Sequence, residues 1–316
     1  MRALVVGHTG QDGTLLCKDL LRKGISILGI SSSKVYSSEG TALSRPPNIQ
    51  NYNEISEVIR TFRPAQIYYL PAHHYSSEAA ATISFRSSFE QSEGTHVNGL
   101  LNCLSAIKAF NPGCKLFYAS SSLIFDGTHG EVQDETTPFT PVGIYGITKA
   151  QGIWLCREFV AHYNVFASSG ILYNHESHLR KPDYLTQKIV QAARRISSGS
   201  TEKLILGDLS SKIDWSYAPD FIDAFQRIMK LNEPSTYIVS SGEAHSVQEF
   251  LEIAFGELNL NWTQYVSENT TLLNRRTTVR IGNHTKLTEH TGWGKSFSFP
   301  DFVRRLVKDA KTQIAH

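Results

Sequence analysis

Short apolar runs alternate with amphipathic helical patterns through the first half of the chain. The runs "ALVVG", "ISILGI", "QIYYLPA" and "KLFYASSS" are rich in β-formers, whereas "LLCKDLLRKG", "EISEVIRTF" and residues 97–110 have helical spacing. Such alternation is typical of βαβ crossovers, which build a parallel sheet with helices on both faces. A helix from about Tyr145 to Tyr163 then leads into a sixth strand, "VFASSGILY". The pattern predicts an α/β fold with a doubly wound parallel sheet.

The alternation of strands and helices becomes less regular after Asn174. There "PDYLTQKIVQAARRI" predicts an amphipathic helix, followed by short elements with polar connectors. We therefore expect one domain over residues 1–174 and a smaller, discontinuous domain over residues 175–316. Some strands and helices of the second part are expected to return to the first. Residues 76–93 fit either an inserted helix or a lid.

Composition excludes several classes of protein. The 31 basic and 29 acidic residues give a formal charge of +2, so no electrostatic footprint for nucleic acid or a membrane stands out. The four cysteines lack metal-ligand spacing, and no apolar run is long enough to cross a bilayer. We expect a cytoplasmic protein with reduced thiols, no bound metal and a core sufficient for one or two domains.

The stretch "VVGHTGQDG" places three glycines directly after a strand and before a helix. Such a turn lets backbone N–H groups approach a pyrophosphate at the positive end of the helix, although a plain tight turn is the alternative reading. Position within a βαβ unit favours a dinucleotide. The predicted cofactor contacts in this loop are Gly7, Thr9, Gly10, Gln11, Asp12 and Gly13.

The second strand ends in Ser31, Ser32, Ser33 and Lys34, where binders of NAD usually place a carboxylate for the ribose hydroxyls. Hydroxyls and a lysine can receive a 2′-phosphate instead, which favours NADP over NAD. The alternative is a solvated loop without a role.

Tyr145 and Lys149 are four residues apart, which places both side chains on one face of a helix. The ammonium can then lower the pKa of the phenol and hold the nicotinamide ribose, so that the tyrosine exchanges a proton near neutral pH. This pair occurs by chance in many chains. The glycine loop and a serine cluster, Ser120–Ser122, ending a strand about 25 residues earlier make it far more specific.

With these motifs, "TGQDGTLL", "HVNGLLNCLSAI", "ETTPFTPVGIYGITKA", "GILYNHES", "LTQKIVQA" and "LGDLSSKIDWSYAPDFIDA" resemble the extended short-chain dehydrogenase/reductase family, most closely its GDP-mannose 4,6-dehydratase branch. The resemblance implies a Rossmann-type domain that binds NADP and a C-terminal domain that binds a nucleotide sugar. It implies hydride transfer from sugar C4, with Tyr145 removing the hydroxyl proton, Ser121 bonding that hydroxyl and Lys149 orienting the cofactor.

The resemblance also assigns further contacts and an assembly. It suggests a homodimer through the helices at 97–110 and 145–163, with a tetramer as the alternative. The implied cofactor contacts are Asn48, Ile49, Leu70, Pro71, Ala72, Leu172, Asn174 and His175. The implied substrate contacts are Ser122, Leu123, Asn174, Leu185, Lys188, Lys212, Arg275 and Arg276.

Leu123 departs from the pattern, because the dehydratases it resembles have a glutamate there that acts while water leaves C6. Loss of a general acid/base costs about a hundredfold to ten-thousandfold in rate. Asp126, three residues on, is expected to point to the opposite face if the strand continues. A second departure is Ile213, where the family usually has an arginine for the diphosphate; Lys212 is its expected substitute.

The segment "HHYSSEAAATISFRSSFEQ" is an apparent insertion relative to the family and begins with His73 and His74. Because it follows the fourth strand, it is expected to lie over the nicotinamide and the sugar. Either histidine is a candidate for the proton transfer that Leu123 cannot perform, because histidine titrates near neutrality. Glu78 is a further candidate. Solvated or backbone-bonded loop side chains are the plainer alternative for all three.

The sequence therefore predicts an enzyme that transfers hydride at C4 of a nucleotide-linked hexose, with GDP as the expected nucleotide and NADP as the cofactor. Leu123 favours an epimerase or 4-ketosugar reductase. A GDP-mannose 4,6-dehydratase with a non-standard acid/base remains an alternative, and so does a catalytically silent nucleotide-sugar-binding protein.

Overall fold

The structure, a computed structural model, describes residues 1–40, 43–73, 84–128, 130–272 and 279–311. In chain order its α-helices are α1 (Gln11–Arg22), α2 (Tyr52–Phe62), α3 (Phe85–Glu93), α4 (Gly99–Phe110), α5 (Ile144–Tyr163), α6 (Leu185–Ser197), α7 (Ala218–Ile228), α8 (Val247–Gly256), α9 (Thr285–Thr291) and α10 (Phe299–Lys311). Its strands are β1 (Arg2–Val6), β2 (Ser26–Ile30), β3 (Val35–Ser37), β4 (Gln66–Tyr69), β5 (Lys115–Ala119), β6 (Val132–Gln133), β7 (Ala167–Leu172), β8 (Asn174–Glu176), β9 (Leu204–Leu206), β10 (Lys212–Ile213), β11 (Trp215–Tyr217), β12 (Thr236–Val239), β13 (His245–Ser246), β14 (Val266–Glu268) and β15 (Ile281–Gly282).

A seven-stranded sheet in the order β12-β7-β5-β4-β1-β2-β3 confirms the predicted α/β architecture. Its strands pair in parallel except for β3, which runs antiparallel to β2 at one edge. β1 is central: β2 and β3 are added on one side of it, and β4, β5, β7 and β12 follow on the other side. The order of the strands therefore reverses between β1 and β4. Ligands of open α/β sheets bind at the carboxyl ends of the strands beside such a switch point, so the site is expected at the ends of β1, β4 and β5.

The edge strand β3 is a feature that the serine-rich sequence did not reveal. Val35 pairs with Ile30, and Ser31 accepts a hydrogen bond from the Lys34 backbone at 3.0 Å through its hydroxyl oxygen. The Ser31 side chain thus stabilises the tight turn between β2 and β3, whereas the serine-rich sequence predicts a loop there.

Two buried tyrosines fix the helices that cover one face of the sheet. A Cβ atom on Gly99 would lie 2.2 Å from the Tyr69 hydroxyl, and one on Gly152 would lie 2.3 Å from the Tyr118 hydroxyl. Only glycine allows either ring to reach so close to a helix. Tyr69 donates to the carbonyl of Thr95 at 2.6 Å, within a π-helical turn over Gly94–Asn98 that precedes α4.

The region after residue 174 contributes both to this sheet and to small sheets of its own. β12 extends the central sheet beside β7, whereas β8 pairs with β11, β9 with β14 and β10 with β13. The buried carboxylate of Asp214 joins three segments, because it accepts hydrogen bonds from the backbone of Ser241 at 2.8 Å and of Gly282 at 3.1 Å.

The segment after β4 is partly described. Its second half is the helix α3, which agrees with the inserted-helix reading, whereas residues 74–83, including His74 and Glu78, lie outside the described residues. Within the described ranges, none of the helices has the length and apolar character that crossing a membrane requires.

Candidate active site

The glycine loop between β1 and α1 has the close backbone packing that dinucleotide binding needs. Gly7 has a φ of +86°, and a Cβ on Gly13 would lie 2.3 Å from the Gly7 carbonyl oxygen. Both positions therefore require glycine. Because the first N–H groups of a helix lack partners within it, the start of α1 presents donors to an anion, and this cradle fits a pyrophosphate.

The end of β4 lies directly beside this loop. A Cβ on Gly7 would lie 3.1 Å from the Pro71 nitrogen and 3.3 Å from the Leu70 carbonyl carbon. A role of Leu70, Pro71 and Ala72 in cofactor binding stays a prediction. Asn48 is exposed, and its side-chain oxygen already accepts from the Gln50 backbone at 3.0 Å.

The end of β2 presents polar groups and no carboxylate. Ser32, Ser33 and Lys34 are exposed there, whereas Ser31 is bonded within the turn. These side chains fit the predicted 2′-phosphate, which remains a prediction.

Ser121 and Tyr145 come together where β5 ends and α5 begins. Burial raises the pKa of Tyr145, and a hydrogen bond with Ser121 acts in the opposite direction. The Ser121 oxygen also accepts from the Leu123 backbone at 3.3 Å, which leaves its own hydrogen for donation. The pair can therefore share a proton with one substrate hydroxyl or carbonyl.

Lys149 is fully buried one turn along α5, and its amine is held by two strand ends. Nζ donates to the carbonyl oxygens of Ala119 at 2.8 Å and Pro71 at 3.1 Å, and lies 5.7 Å from the Tyr145 ring centroid. Burial lowers the pKa of Lys149 to about 7. Burial raises the pKa of Tyr145 above its usual value, so the expectation that this amine lowers that pKa stays a prediction.

Leu123 lies half-buried in a 3-10 turn, Ser122–Phe125, and not in a continuing strand. The predicted placement of Asp126 on the opposite face is therefore wrong, because residues three apart in a 3-10 helix eclipse one another. Asp126 is buried and forms an ion pair with Arg280. Its carboxylate is thus neutralised by a cation from the second half of the chain.

His96 is a buried site residue that sequence reasoning missed. Its Nε2 accepts from the His73 backbone at 2.9 Å, so Nδ1 carries the hydrogen, and Nδ1 lies 2.7 Å from the Thr148 hydroxyl. The ring stands edge-on to Tyr145, with centroids 5.2 Å apart. His96 thereby joins the start of α5 to the segment after β4; the signal was a histidine within the apolar helix pattern.

His73 was expected to titrate near neutrality, but its surroundings shift its pKa. Burial lowers its pKa, so it favours the neutral ring. Whether it transfers protons stays a prediction.

Arg180 is a second missed residue, in the segment that follows "NHES". Its Nε lies 3.2 Å from a Glu176 oxygen, and its guanidinium stacks 4.3 Å from the Tyr184 ring centroid. Its positive charge acts to lower the pKa of Tyr145. A cation from the segment after β8 therefore acts on the Tyr145 phenol.

The predicted substrate residues occupy separate elements. Ser122 is buried after the end of β5, Leu185 and Lys188 are half-buried on α6, and Asn174 and Lys212 are exposed on β8 and β10. Leu172, a predicted cofactor contact, is buried at the end of β7. Arg275 and Arg276 lie outside the described residues.

Gln11, Asp12 and His175, all predicted cofactor contacts, are bonded to one another. His175 Nε2 lies 3.0 and 3.1 Å from the two Asp12 oxygens. Burial acts to raise the pKa of Asp12, but the charge and hydrogen bond of His175, with Arg180 and Gln11, outweigh it and hold that pKa below its usual value.

Comparison with known proteins agrees with this geometry. The model of a family described as GDP-mannose 4,6 dehydratase matches residues 4–306. GDP-mannose 4,6 dehydratase 1 of Arabidopsis thaliana is 30% identical over 327 residues, covering 97% of this chain and 89% of the relative.

Two solved structures show the same fold. RMD from Pseudomonas aeruginosa, complexed with NADPH, has a TM-score of 0.82 at 19% identity and covers 99% of both chains. UDP-glucose 4-epimerase from Thermotoga maritima, with UDP-glucose, has a TM-score of 0.82 at 17% identity, covering 99% of this chain and 100% of the other.

A glycine cradle beside a Ser–Tyr–Lys cluster at the carboxyl edge of a parallel sheet defines a class, the NAD(P)-dependent extended short-chain dehydrogenases/reductases that act on nucleotide sugars. Within that class the match over nearly the whole chain is decisive. The chain belongs to the GDP-mannose 4,6-dehydratase family.

Proposed function

We propose that this protein is an NADP-dependent enzyme that acts at C4 of a GDP-linked hexose, and that its net reaction is 4-epimerisation or 4-ketosugar reduction and not dehydration. The observation that carries the proposal is Leu123. Its backbone N–H donates to Ser121 at 3.3 Å and its carbonyl packs against Gly146 of α5, and the resemblance places the dehydratase glutamate at this position.

The arrangement of Ser121, Tyr145 and Lys149 supports chemistry at C4. When bound, the nicotinamide supplies the hydride or takes it up. Ser121 and Tyr145 share a hydrogen bond, so both can meet the C4 oxygen, with Tyr145 exchanging its proton and Ser121 donating to the developing charge. Lys149 ties the ends of β4 and β5 together beneath the crevice.

Tyr145 is suited to proton exchange at the C4 oxygen. Because burial raises the pKa of the phenol, it carries its proton at neutral pH and can donate it to a C4 ketone as hydride arrives. Oxidation of a C4 hydroxyl instead needs the phenolate, which burial disfavours. The same tyrosine exchanges the C4 proton in either direction of hydride transfer, so it serves both 4-epimerisation and 4-ketosugar reduction.

Elimination of water from C6 needs a further acid/base that Leu123 does not supply. The described alternatives are constrained, because Asp126 is paired with Arg280 and burial favours the neutral ring of His73. A dehydratase that uses a non-standard group is the second candidate, supported by the family to which the chain belongs.

Product analysis separates these reactions. The protein is incubated with GDP-mannose and NADP, and separately with a GDP-4-keto-6-deoxyhexose and NADPH, while nicotinamide absorbance and product masses are followed. We expect NADPH to be consumed in the second mixture, and no product lighter than GDP-mannose by one water in the first. Rapid formation of that lighter product would overturn the proposal, and Tyr145→Phe serves as the control without redox activity.

A further inference from the structure

The 3-10 turn that follows Ser121 is packed against the start of α5. The Ser121 side chain accepts a hydrogen bond from the Leu123 backbone at 3.3 Å. A Cβ on Gly146 would lie 2.5 Å from the Leu123 carbonyl oxygen, so the turn touches α5 one residue beyond Tyr145. The distance between Ser121 and Tyr145 therefore depends on where this turn lies.

Asp126 follows the turn directly and joins it to a distant segment of the chain. Its backbone N–H donates to the Leu123 carbonyl at 3.4 Å, and its carboxylate forms an ion pair with Arg280. The side chains of Asp126 and Arg280 are only 6% and 13% exposed, so solvent screens the pair little. Removal of either partner would leave a buried charge without compensation. The turn is therefore held from the second half of the chain.

The strand that comes directly after Arg280, β15, continues this connection. It pairs with β6, in the loop after the same turn, and the Gly282 N–H donates to a carboxylate oxygen of Asp214 at 3.1 Å. Asp214 comes directly after β10, which contains Lys212, the residue expected to contact the diphosphate of a nucleotide sugar. Bonds and backbone therefore connect the turn beside Ser121 with the strand expected to hold the nucleotide.

We propose that Asp126 and Arg280 are a pair of positioning residues, which hold the turn next to Ser121 at the distance from the nucleotide that the sugar requires. This inference deepens the proposed reaction at C4 of a nucleotide-linked hexose and rests on it. Such a substrate is bound through its diphosphate and reacts at its other end, so an error in spacing between the two contacts misplaces the C4 oxygen. The cofactor is expected at the glycine loop, which the pair does not join, so its affinity does not depend on the pair.

Arg280→Gln tests the inference, because it breaks the ion pair without changing the sequence of the turn. With a GDP-4-keto-6-deoxyhexose and NADPH, we expect kcat to fall by about tenfold or more, whereas the Kd for NADPH stays within about threefold of the wild type. Asp126→Asn, which has the same shape, is expected to lower kcat similarly and serves if Arg280→Gln does not fold. An unchanged kcat in either folded variant would overturn the inference.

The double variant Asp126→Asn/Arg280→Gln shows whether the two residues act together. Because each residue works through the other, the double variant is expected to lose no more activity than the weaker single variant. If its loss instead equals the product of the two single losses, the residues act separately and the inference is wrong.

The matched control is Arg227→Gln on α7. Arg227 also pairs with an aspartate, Asp223, at 2.6 Å, and it also reaches another element by donating to the Thr291 carbonyl at 3.0 Å. Its loss can lower the melting temperature but should leave kcat unchanged. Thermal unfolding of each variant is measured alongside the rates. A fall in kcat of the same size in the control would show that kcat only follows overall stability, against the proposed role.

Hydrogen exchange tests the position of the turn without any substrate. The backbone N–H groups of Ile124 and Gly127 donate to the carbonyls of Ser121 and Thr140. In the unliganded Arg280→Gln or Asp126→Asn protein they should exchange about tenfold faster than in the wild type, whereas those of β1 should not. Equal exchange in the turn would overturn the inference. If exchange there is faster as expected but the wild type converts no GDP-sugar, the proposed function fails and the role of the pair in holding the turn stands.

Discussion

The amine of Lys149 donates a 2.8 Å hydrogen bond to the carbonyl oxygen of Ala119, the last residue of β5. A second bond to Pro71 ties it to the segment after β4. A neutral amine has two hydrogens, which these two carbonyls use. The buried site therefore tolerates Lys149 without its charge, in agreement with a pKa lowered to about 7.

A stability measurement against pH follows from this pKa. The unfolded chain keeps the Lys149 proton up to about pH 10.4, whereas the folded protein releases it near pH 7. Between these values the unfolded state binds more protons, so the free energy of unfolding rises with pH, by at most about 1.4 kcal/mol per unit from this residue.

Lys149→Met removes that titration and leaves the two carbonyls unpaired at every pH. We therefore expect urea unfolding at pH 6, 7.5 and 9 to show that the free energy of unfolding of the wild type rises with pH relative to that of the variant. If the difference in the free energy of unfolding between the two proteins stayed constant across this range, the lowered pKa of Lys149 would be contradicted.

Tyr145→Phe should reduce turnover of any accepted sugar nucleotide by at least about a hundredfold, because the ring loses the hydroxyl that exchanges the C4 proton. NADPH affinity should remain close to that of the wild type. Steady-state rates and a fluorescence titration check both statements, and full activity in the variant would remove Tyr145 from the mechanism.

Leu123→Glu is expected to introduce a carboxyl group into the half-buried turn beside Ser121. If the missing acid/base is what limits elimination, GDP-mannose incubated with this variant and NADP should yield a product one water lighter. Leu123→Gln, which has the same length but no titratable proton, is the control. Equal amounts of dehydrated product from the wild type and Leu123→Glu would show that another residue performs the elimination.

His96→Phe keeps a ring against Tyr145 but removes both hydrogen bonds, to the Thr148 hydroxyl and the His73 backbone. Small displacements of reacting groups are costly, so we expect kcat to fall by up to about a hundredfold with a smaller change in KM. Thr148→Val should reproduce part of the fall, and His162→Phe should have no effect. A lowered melting temperature with unchanged kcat would mean that His96 serves folding alone.

The predicted homodimer can be tested on the outer face of α5. Trp154 is 54% exposed and Ile147 is 37% exposed, as is Leu101 on α4. Apolar side chains of this size suit burial between two copies of the chain, which the family resemblance places here. Trp154→Glu should convert a dimer into a monomer in light scattering, whereas Ile205→Glu, on β9 and 55% exposed, should not.

The sequence could predict those parts of the site that depend on local patterns. The glycine loop, the Tyr145–Lys149 spacing and the end of β5 are each encoded within about ten residues, and periodicity assigns them to a strand end or a helix face. The central sheet was predictable for the same reason, because buried parallel strands have continuous apolar runs.

The remaining features depend on contacts between distant segments. The 3-10 turn after Ser121 is held by a hydrogen bond from the Thr140 backbone to Ile124, at 2.8 Å, and this reverses the side predicted for Asp126. His96 is bonded to the His73 backbone, 23 residues earlier, and to Thr148, 52 residues later. No local pattern contains either relationship.

The position of β12 has a consequence for how the protein is made. β7 ends at Leu172 but gains its outer neighbour only when residues up to Val239 of 316 have been synthesised. On a translating ribosome the outer edge of the strand "ASSGIL" therefore stays unpaired while more than sixty further residues are synthesised. This takes about three to thirteen seconds at common elongation rates. During that interval its unpaired edge is open to mispairing, and binding by a chaperone there would protect it.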